Sequence, residues 1–514
     1  MRSLQRVFSI RSRAGVLLAL AMTSAHRSDS ALSERPAATP ARAVPKLVVL
    51  AWQESQPNEA LSIGLGVEVT HRLQMSPDVI VREPSRRLFA LDAHALKWIA
   101  GVDVNFILRV MVSGDDVRPR VKWELERVSD HARVAADSSA NDWTAFVNQP
   151  GLIASRVLQH LGATMQPKVG DGSPRDPKAY VEFVRVLGGR ELEENERETL
   201  LSRIAALESI VPRLATYAPA VAALGSDYLD LAGLAGGRVQ DYERATQTLE
   251  RAFELDPSYP PSRAKLASLY AKVGESERCV QLLTDGLTTH PHFAPFHETL
   301  GYVLRYAGLM ERSMASYRRG QEIDASPSNL VSTQDQITKS LIYLGEYDAA
   351  LASHRRMHGF RVLTGTATDE KQWFYQGVIQ LYRGDKREAV TAFRAGAARL
   401  PNSIWTTFGH GYEAIAMHNS AALDSVLEKL EHADVVDGER HYRLVHFATF
   451  AGRIDRALDH LEISIRGGFF NAPYIVSDPW LTPLRSSPRY TQLVSVAQAR
   501  HDAVRRSLAT ASGR

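Results

Sequence analysis

From about residue 179 to residue 470 the chain reads as helix after helix, each apolar stretch interrupted by glycine or proline. The interruptions keep time. Pro257 recurs as Pro291, Leu266 as Leu300 and Gly274 as Gly308, an interval of 34 residues, and Gly384 and Gly452 stand two such intervals apart. A helix–turn–helix unit of this length cannot bury its apolar stripe alone, so copies must stack on one continuous core. Upstream the pattern differs. Lys46–Leu50 is a short apolar run suited to a buried strand, Leu61, Leu65 and Leu73 recur at helical spacing, and Val79–Val81 reads as a second strand. A short helix over Leu91–Trp98 leads to another apolar run, Val104–Leu108. After the Ser113–Asp116 turn, Val121, Trp123 and Leu125 alternate with Lys122, Glu124 and Glu126, and a helix over Trp143–Leu161 closes the segment. This order predicts a compact α/β domain with one mixed sheet.

Counting fixes the repeat register. In unit 260–293, Leu266, Tyr270, Gly274, Cys279, Leu283, Gly286 and Pro291 take the places that Leu300, Leu304, Gly308, Ser313, Tyr317, Gly320 and Ala325 take in unit 294–327. A three-residue insertion shifts the next unit to 331–364, with Gly345 and Ala350, and unit 370–403 carries Gly377, Gly384, Ala389 and Phe393. Unit 404–437 is degenerate, keeping Gly411, Leu423, Leu427 and Leu430, and unit 438–471 shows Leu444, Gly452, Ala457 and Leu461. The places are those of the tetratricopeptide repeat (TPR), which this array resembles. The predicted fold class is therefore mainly α, a TPR α-solenoid preceded by a small α/β domain. The expected divisions are a leader over 1–25, a linker over 26–45, the α/β domain over 46–165, a second linker over 166–177, repeats over 178–470 and a capping segment over 471–514.

The α/β segment resembles the TolB-like N-terminal domain that precedes TPR arrays in bacterial regulators and in cyclase- or kinase-linked proteins. The likeness rests on the strand Leu47–Leu50, the Gly64-Leu65 helix, Ala100–Asp103 before Phe106–Leu108, the Val110–Val128 hairpin and the Trp143–Leu161 helix. That family continues its opening strand with Pro-Phe, whereas Ala51-Trp52 stands here. Tyr474–Pro479, Leu484-Arg485 and Pro488–Tyr490 resemble the tail that follows such arrays, and that tail is expected to cap the last repeat.

Composition narrows the setting. The chain is 514 residues long, 44% hydrophobic and 23% charged, so it is expected to fold, and as more than one domain. Its formal charge of +3 is set by the leader, which holds Arg2, Arg6, Arg11 and Arg13 before the first acid, Asp29. Without those four, 57 basic residues face 58 acidic ones, leaving no broad basic field for nucleic acid. A basic start, an apolar stretch from Ala14 to Ala25 and small residues at Thr23 and Ala25 have the form of a secretory signal. The stretch is about 12 residues against the roughly 20 that a membrane span needs. Export to a bacterial envelope is expected, with mitochondrial or cytoplasmic location as alternatives and membrane contact only through a retained leader. The single cysteine, Cys279, excludes an internal disulfide and reads as a buried thiol.

Catalytic and cofactor patterns are weak, and neither an enzyme nor a cofactor is expected. Gly64-Leu65-Gly66 lacks the third glycine of a phosphate loop and reads as helix punctuation. His354 and His358 lie four apart without the Glu of a zinc motif and read as two surface histidines. His290, His292 and His297 cluster at a turn and read as capping and solvent-facing groups. Resemblance to TPR proteins implies instead a partner, a protein or peptide, held on the concave first helices. Those places hold Tyr302, Arg305, Tyr306, Lys339, Tyr343, Phe374, Tyr382 and Tyr442, with His446 beside them. Tyr and Arg suit recognition by their contact area and hydrogen bonds. Two functions follow as expectations: a non-catalytic interaction scaffold of the cell envelope, or a sensor module of a signalling system whose output domain is absent.

Overall fold

In a computed structural model the protein is described over residues 44–512, apart from 52–57, 83–102, 115–118, 141, 165–172, 190–195, 234–238, 365–369 and 433–436. The expected leader, most of the first linker and the expected helix at Leu91–Trp98 lie outside the described residues. The α/β segment forms β1 (Lys46–Ala51), α1 (Glu59–Gln74), β2 (Ile80–Arg82), β3 (Phe106–Gly114), β4 (Pro119–Arg127) and β5 (Arg133–Ala140). The sheet order is β2-β1-β3-β4-β5. β1 runs parallel to β2 and β3, and β3, β4 and β5 form an antiparallel meander. β1 is apolar throughout and buried from Leu47 to Ala51, as a parallel strand flanked on both sides should be. On β4, Val121, Trp123 and Leu125 are buried, while Arg109 pairs with Glu126 at 2.5 Å on the opposite face. The closing segment is two helices rather than one, α2 (Trp143–Phe146) and α3 (Gln149–Leu161). Pro150 explains the break: it lacks an N–H and favours the first turn of a new helix.

The helical region opens with α4 (Pro177–Gly189), α5 (Glu196–Ile210), α6 (Ala218–Gly233) and α7 (Val239–Leu255). Six hairpins follow: α8 (Pro260–Lys272) with α9 (Ser276–Thr289), α10 (Ala294–Tyr306) with α11 (Met310–Ile323), and α12 (Pro327–Tyr343) with α13 (Tyr347–Thr364). The last three are α14 (Glu370–Tyr382) with α15 (Lys386–Arg399), α16 (Ile404–Ala416) with α17 (Ser420–Glu431), and α18 (Gly438–Phe450) with α19 (Ile454–Arg466). Each hairpin turns through one left-handed residue: Gly274, Gly308, Gly345, Gly384, His418 and Gly452. The degenerate unit thus keeps the turn but places His418, at φ 54°, where its neighbours place glycine. Cys279 is fully buried in α9, and burial pushes its thiol up, away from reactivity.

The α/β domain is locked to the first helices. α1 crosses α4 so closely that a Cβ on Gly64 would overlap the Val184 carbonyl and one on Gly188 the Ala60 carbonyl. Of the two glycines expected as helix punctuation, Gly64 is therefore a helix-crossing contact, while Gly66 faces Val110 and Val49 of the sheet. Four residues along α1, Glu68 is buried and accepts hydrogen bonds from Tyr180 at 3.2 Å and from Tyr217.

At the other end the tail folds as α20 (Ala472–Ser477), a 3-10 turn (Pro479–Leu484) and α21 (Pro488–Ser512). It does more than cap the last repeat. Arg500 on α21 donates to the Ile465 carbonyl at 2.5 Å and also to the Gly274 carbonyl, 226 residues upstream. His501 meets the Ala307 carbonyl at 2.6 Å, and the Phe470 N–H donates to the Tyr306 carbonyl at 3.1 Å. The solenoid curls until its tail seals the turns of its first two hairpins.

Candidate interaction site

The curl decides the fate of the concave residues. α10 and α18 face each other across the interior, and Arg305 reaches Glu439 at 2.7 and 3.3 Å with its side chain wholly buried. Around this pair Tyr343 donates to Glu439, Arg443 lies 3.5 Å from it, and Tyr306 donates to Asp437 at 3.0 Å. Burial alone would raise the Glu439 carboxyl, but Arg305, Arg443 and Lys339 outweigh it and hold the group well below the usual carboxylate range. Lys339 pairs with Asp335 at 2.8 Å beneath the Tyr375 ring.

A second acid, Asp478 from the tail, organises the neighbouring turn of the interior. It accepts from Tyr442 at 2.9 Å and contacts His446 at 2.8 Å, and His446 in turn meets the Tyr412 hydroxyl at 3.0 Å. Tyr382 bonds the Tyr474 hydroxyl at 2.8 Å and stacks on Trp480 at 4.3 Å. Phe374 is buried among Trp405, Phe408 and Tyr412. Tyr302 lies against the Tyr306 ring at 4.3 Å. The Tyr412–His446–Asp478 chain has no room for a substrate: a cavity of about 20 Å³ remains beside it, roughly the space of one water.

All eight expected partner-binding residues thus converge, but inward. Arg305, Tyr306, Lys339, Phe374 and Tyr442 are buried, and Tyr302, Tyr343 and Tyr382 are half-buried against the chain's own rings. The expected open concave surface is closed at these positions, because Glu439 and the tail residues Phe469, Tyr474, Asp478 and Trp480 fill it. Glu439 and Asp478 were not anticipated. Asp437-Gly438-Glu439 and Asp478-Pro479 stand in the sequence, but nothing local marks either acid as the partner of a buried arginine or tyrosine.

The histidines also differ from expectation. His354 is 3% exposed rather than a surface residue, and burial lowers its imidazole to about 4. His358 meets Gln372 at 3.1 Å. His290 is buried, and His290, His292 and His297 bond separately to Thr289, Arg319 and the Pro291 carbonyl. Among the described residues no group of three or more His, Cys, Asp or Glu side chains is placed to hold a metal.

An open cleft lies elsewhere, between α1 and the N-terminal ends of the first helices. One chamber, about 340 Å³, is lined by Thr70 and His71 of α1, Ser226 of α6, and Pro261 and Ala264 of α8. It meets a second chamber through Lys265, Pro295, Asp324 and Ser328. Pro261, Pro295 and, after the three-residue insertion, Ser332 hold the same place in three successive hairpins and line one channel, with Ala264 and Glu298 sharing a second place in the first two. His71 bonds the Tyr259 hydroxyl at 2.9 Å, and burial, assisted by Arg72, lowers its imidazole to about 4.

No protein-family model matches the chain. Small glutamine-rich tetratricopeptide repeat-containing protein 2 of Mycosarcoma maydis is 24% identical over 107 residues, covering 20% of this chain and 30% of that protein. Superkiller protein 3 of Schizosaccharomyces pombe is 22% identical over 241 residues, covering 43% of this chain and 16% of that protein. The matches span less than a third of either relative. Among solved structures, the Cut9–Hcn1 hetero-tetramer of the APC/C is similar with 15% identity and a TM-score of 0.40, over 64% of each chain. A tetratricopeptide repeat protein from Parabacteroides merdae is similar with 13% identity and a TM-score of 0.35, over 55% of this chain and 98% of that one. The class itself is defined by the hairpins and their left-handed turns: a TPR α-solenoid carrying a small N-terminal α/β domain.

Proposed function

We propose that the protein is a non-catalytic interaction scaffold of a bacterial cell envelope that holds a protein or peptide partner in its repeat groove. The observation that carries this reading is the channel lined by Pro261, Pro295 and Ser332, the same place in three successive hairpins. Repetition of one side-chain position along an open groove suits an extended ligand, which repeats in the same direction. The inward tyrosines and arginines serve, on this reading, to hold the groove's curvature. The order of strands and helices supports a TolB-like assignment for the α/β domain, and the basic, apolar leader supports export. Among the described residues no helix is long and apolar enough to cross a membrane.

The test is crosslinking of the tagged full chain in fractionated cells, comparing wild type with Ala264→Arg/Ser332→Arg. The expected result is an envelope-fraction adduct that the double variant loses. The same adduct from both proteins refutes the groove assignment, and recovery of the chain only in the cytosol refutes the envelope.

A further inference from the structure

The sheet of the α/β domain has two edges, and they differ. β2 is covered: Arg82 donates to the Ile323 carbonyl at 2.9 Å, and Ile80 packs with Ala294 and Ile323. β5 is the other edge, and among the described residues no strand pairs with its outer side. The direction of its backbone groups follows from β4. Arg127 donates to the Ala132 carbonyl and Val128, next in the chain, to the Asn105 carbonyl, both at 2.9 Å, so successive residues of β4 turn to opposite neighbours. Val121, Trp123 and Leu125 therefore bond Ser139, Asp137 and Ala135, their partners in register. Between those residues, Ala136 and Ser138 turn their N–H and C=O groups outward. Both are exposed, and the Ser138 N–H meets only the neighbouring Asp137 carboxylate, at 2.8 Å. A register shift at Leu125/Glu126 disturbs the start of β5, but Ala135 to Ala140 run in continuous register and hold no proline or lysine to blunt the edge.

The two sides of this edge differ in chemistry. On the core side, Arg156 of α3 pairs with Asp137 and so matches the charge that β5 turns that way. Leu152, one turn earlier on the same side of α3, is 50% exposed. On the outer side β4 presents Arg120, Lys122, Glu124 and Glu126, beside Arg109 of β3 and Arg133 of β5. Four of these six are cations and two are acids. Arg120, opposite Ala140, is exposed and makes no ion pair among the described residues.

We propose that the outer edge of β5 takes an extended segment of a partner polypeptide as a sixth strand, with apolar side chains toward Leu152 and acidic ones toward Arg120. The outward N–H and C=O groups fix the ligand as a strand, because a strand presents its own groups at the same spacing. Its alternation follows from the two sides of the edge, and the surplus of cations on the outer side sets the sign of its polar residues. The site shares no residue with the repeat channel, so it stands whether or not that channel holds a partner.

The probe is the peptide acetyl-Glu-Val-Glu-Val-Glu-Val-Glu-amide, carrying a fluorophore and titrated into the full chain by anisotropy. Its control, acetyl-Glu-Glu-Val-Val-Val-Glu-Glu-amide, has the same composition without the alternation. The expected result is saturable binding of the first, at least ~10-fold tighter than the second. Hydrogen exchange should slow over residues 133–140 and stay unchanged in the channel hairpins. Ser138→Pro removes an outward N–H, leaves the ladder with β4 intact, and weakens binding ~10-fold or more. Leu152→Glu, on the surface of α3, weakens it likewise with the melting temperature held near wild type, and decides the matter if the proline variant does not fold. Absence of saturable binding, equal binding of the two peptides, slowed exchange elsewhere, or wild-type affinity in Leu152→Glu overturns the proposal. So does slowed exchange over the same residues in the free chain as its concentration rises, which would assign the edge to a second copy of this chain.

Discussion

Arg305 and Glu439, 134 residues apart in sequence, meet at 2.7 Å inside the solenoid with both side chains buried. Arg305 belongs to the second hairpin and Glu439 to the sixth, so the pair closes the repeat array on itself. Breaking a buried ion pair from one side leaves the other charge stranded, at a cost of about 3–5 kcal/mol. Glu439→Ala strands Arg305, with Arg443 and Lys339 nearby, and is expected to destabilise by that amount. Replacing both partners with apolar residues, Arg305→Met/Glu439→Leu, removes both charges and is expected to cost less than either single change. Urea unfolding of the two single variants and the double variant decides it. Additive losses would show that the pair is not coupled.

The turns, the strands and the repeat register were legible because each is a local property: a left-handed turn asks for glycine, and a half-buried strand asks for alternation. The closure was not legible. A tyrosine or arginine on a concave helix has the same local pattern whether it faces a partner or another helix of the same chain. Which of these holds depends on the accumulated curvature of six hairpins. Arg305, Tyr306 and Tyr442 were therefore found as one group but assigned to the wrong side of the boundary between surface and core. The cleft was missed for a related reason. It is built from α1 and from α8, α10 and α12, whose joining depends on how the α/β domain docks.

That docking makes a sharp prediction at Gly188. A methyl group there would overlap the Ala60 carbonyl of α1, and backbone cannot yield as a flexible side chain can. Gly188→Ala is expected to force α1 and α4 apart and to cost about 1–3 kcal/mol or more. Limited proteolysis should show faster cleavage between the α/β domain and the repeats. Gly189→Ala, where an added methyl meets nothing within 4 Å, is the matched control.

Acid should weaken the fold well above the carboxylate range. His71, beside Arg72 and Tyr259, and His354, near Asp335, His358 and Arg361, are both lowered to about 4, chiefly by burial. In the unfolded chain each titrates near 6.5, so between pH 6.5 and 4 the unfolded state binds more protons than the folded one. Stability is therefore full above 6.5 and falls as pH drops through this window. The fall is about 1 kcal/mol per pH unit for each histidine as an order of magnitude. Urea midpoints at pH 7 and pH 5 should differ for wild type, and His354→Gln should reduce the difference. An unchanged gap in that variant would assign the pH dependence to other groups.

The degenerate hairpin carries the last prediction. His418 holds φ 54° in the turn between α16 and α17, the place filled by glycine in the other five hairpins. An L-residue in that conformation costs roughly 1–2 kcal/mol. Glycine removes this strain but adds freedom to the unfolded chain, a loss of about 0.4–1 kcal/mol. The contact of His418 with Lys386 at 3.1 Å is exposed and contributes little. His418→Gly should therefore stabilise the protein by about 0.5–1 kcal/mol, read as a higher urea midpoint with an unchanged slope. His418→Val should do the reverse, because a β-branched side chain tolerates the left-handed region poorly. Equal midpoints for the glycine and valine variants would mean that the turn relaxes around its residue, and that the register at 418 is set by packing of α16 on α17 rather than by the turn itself.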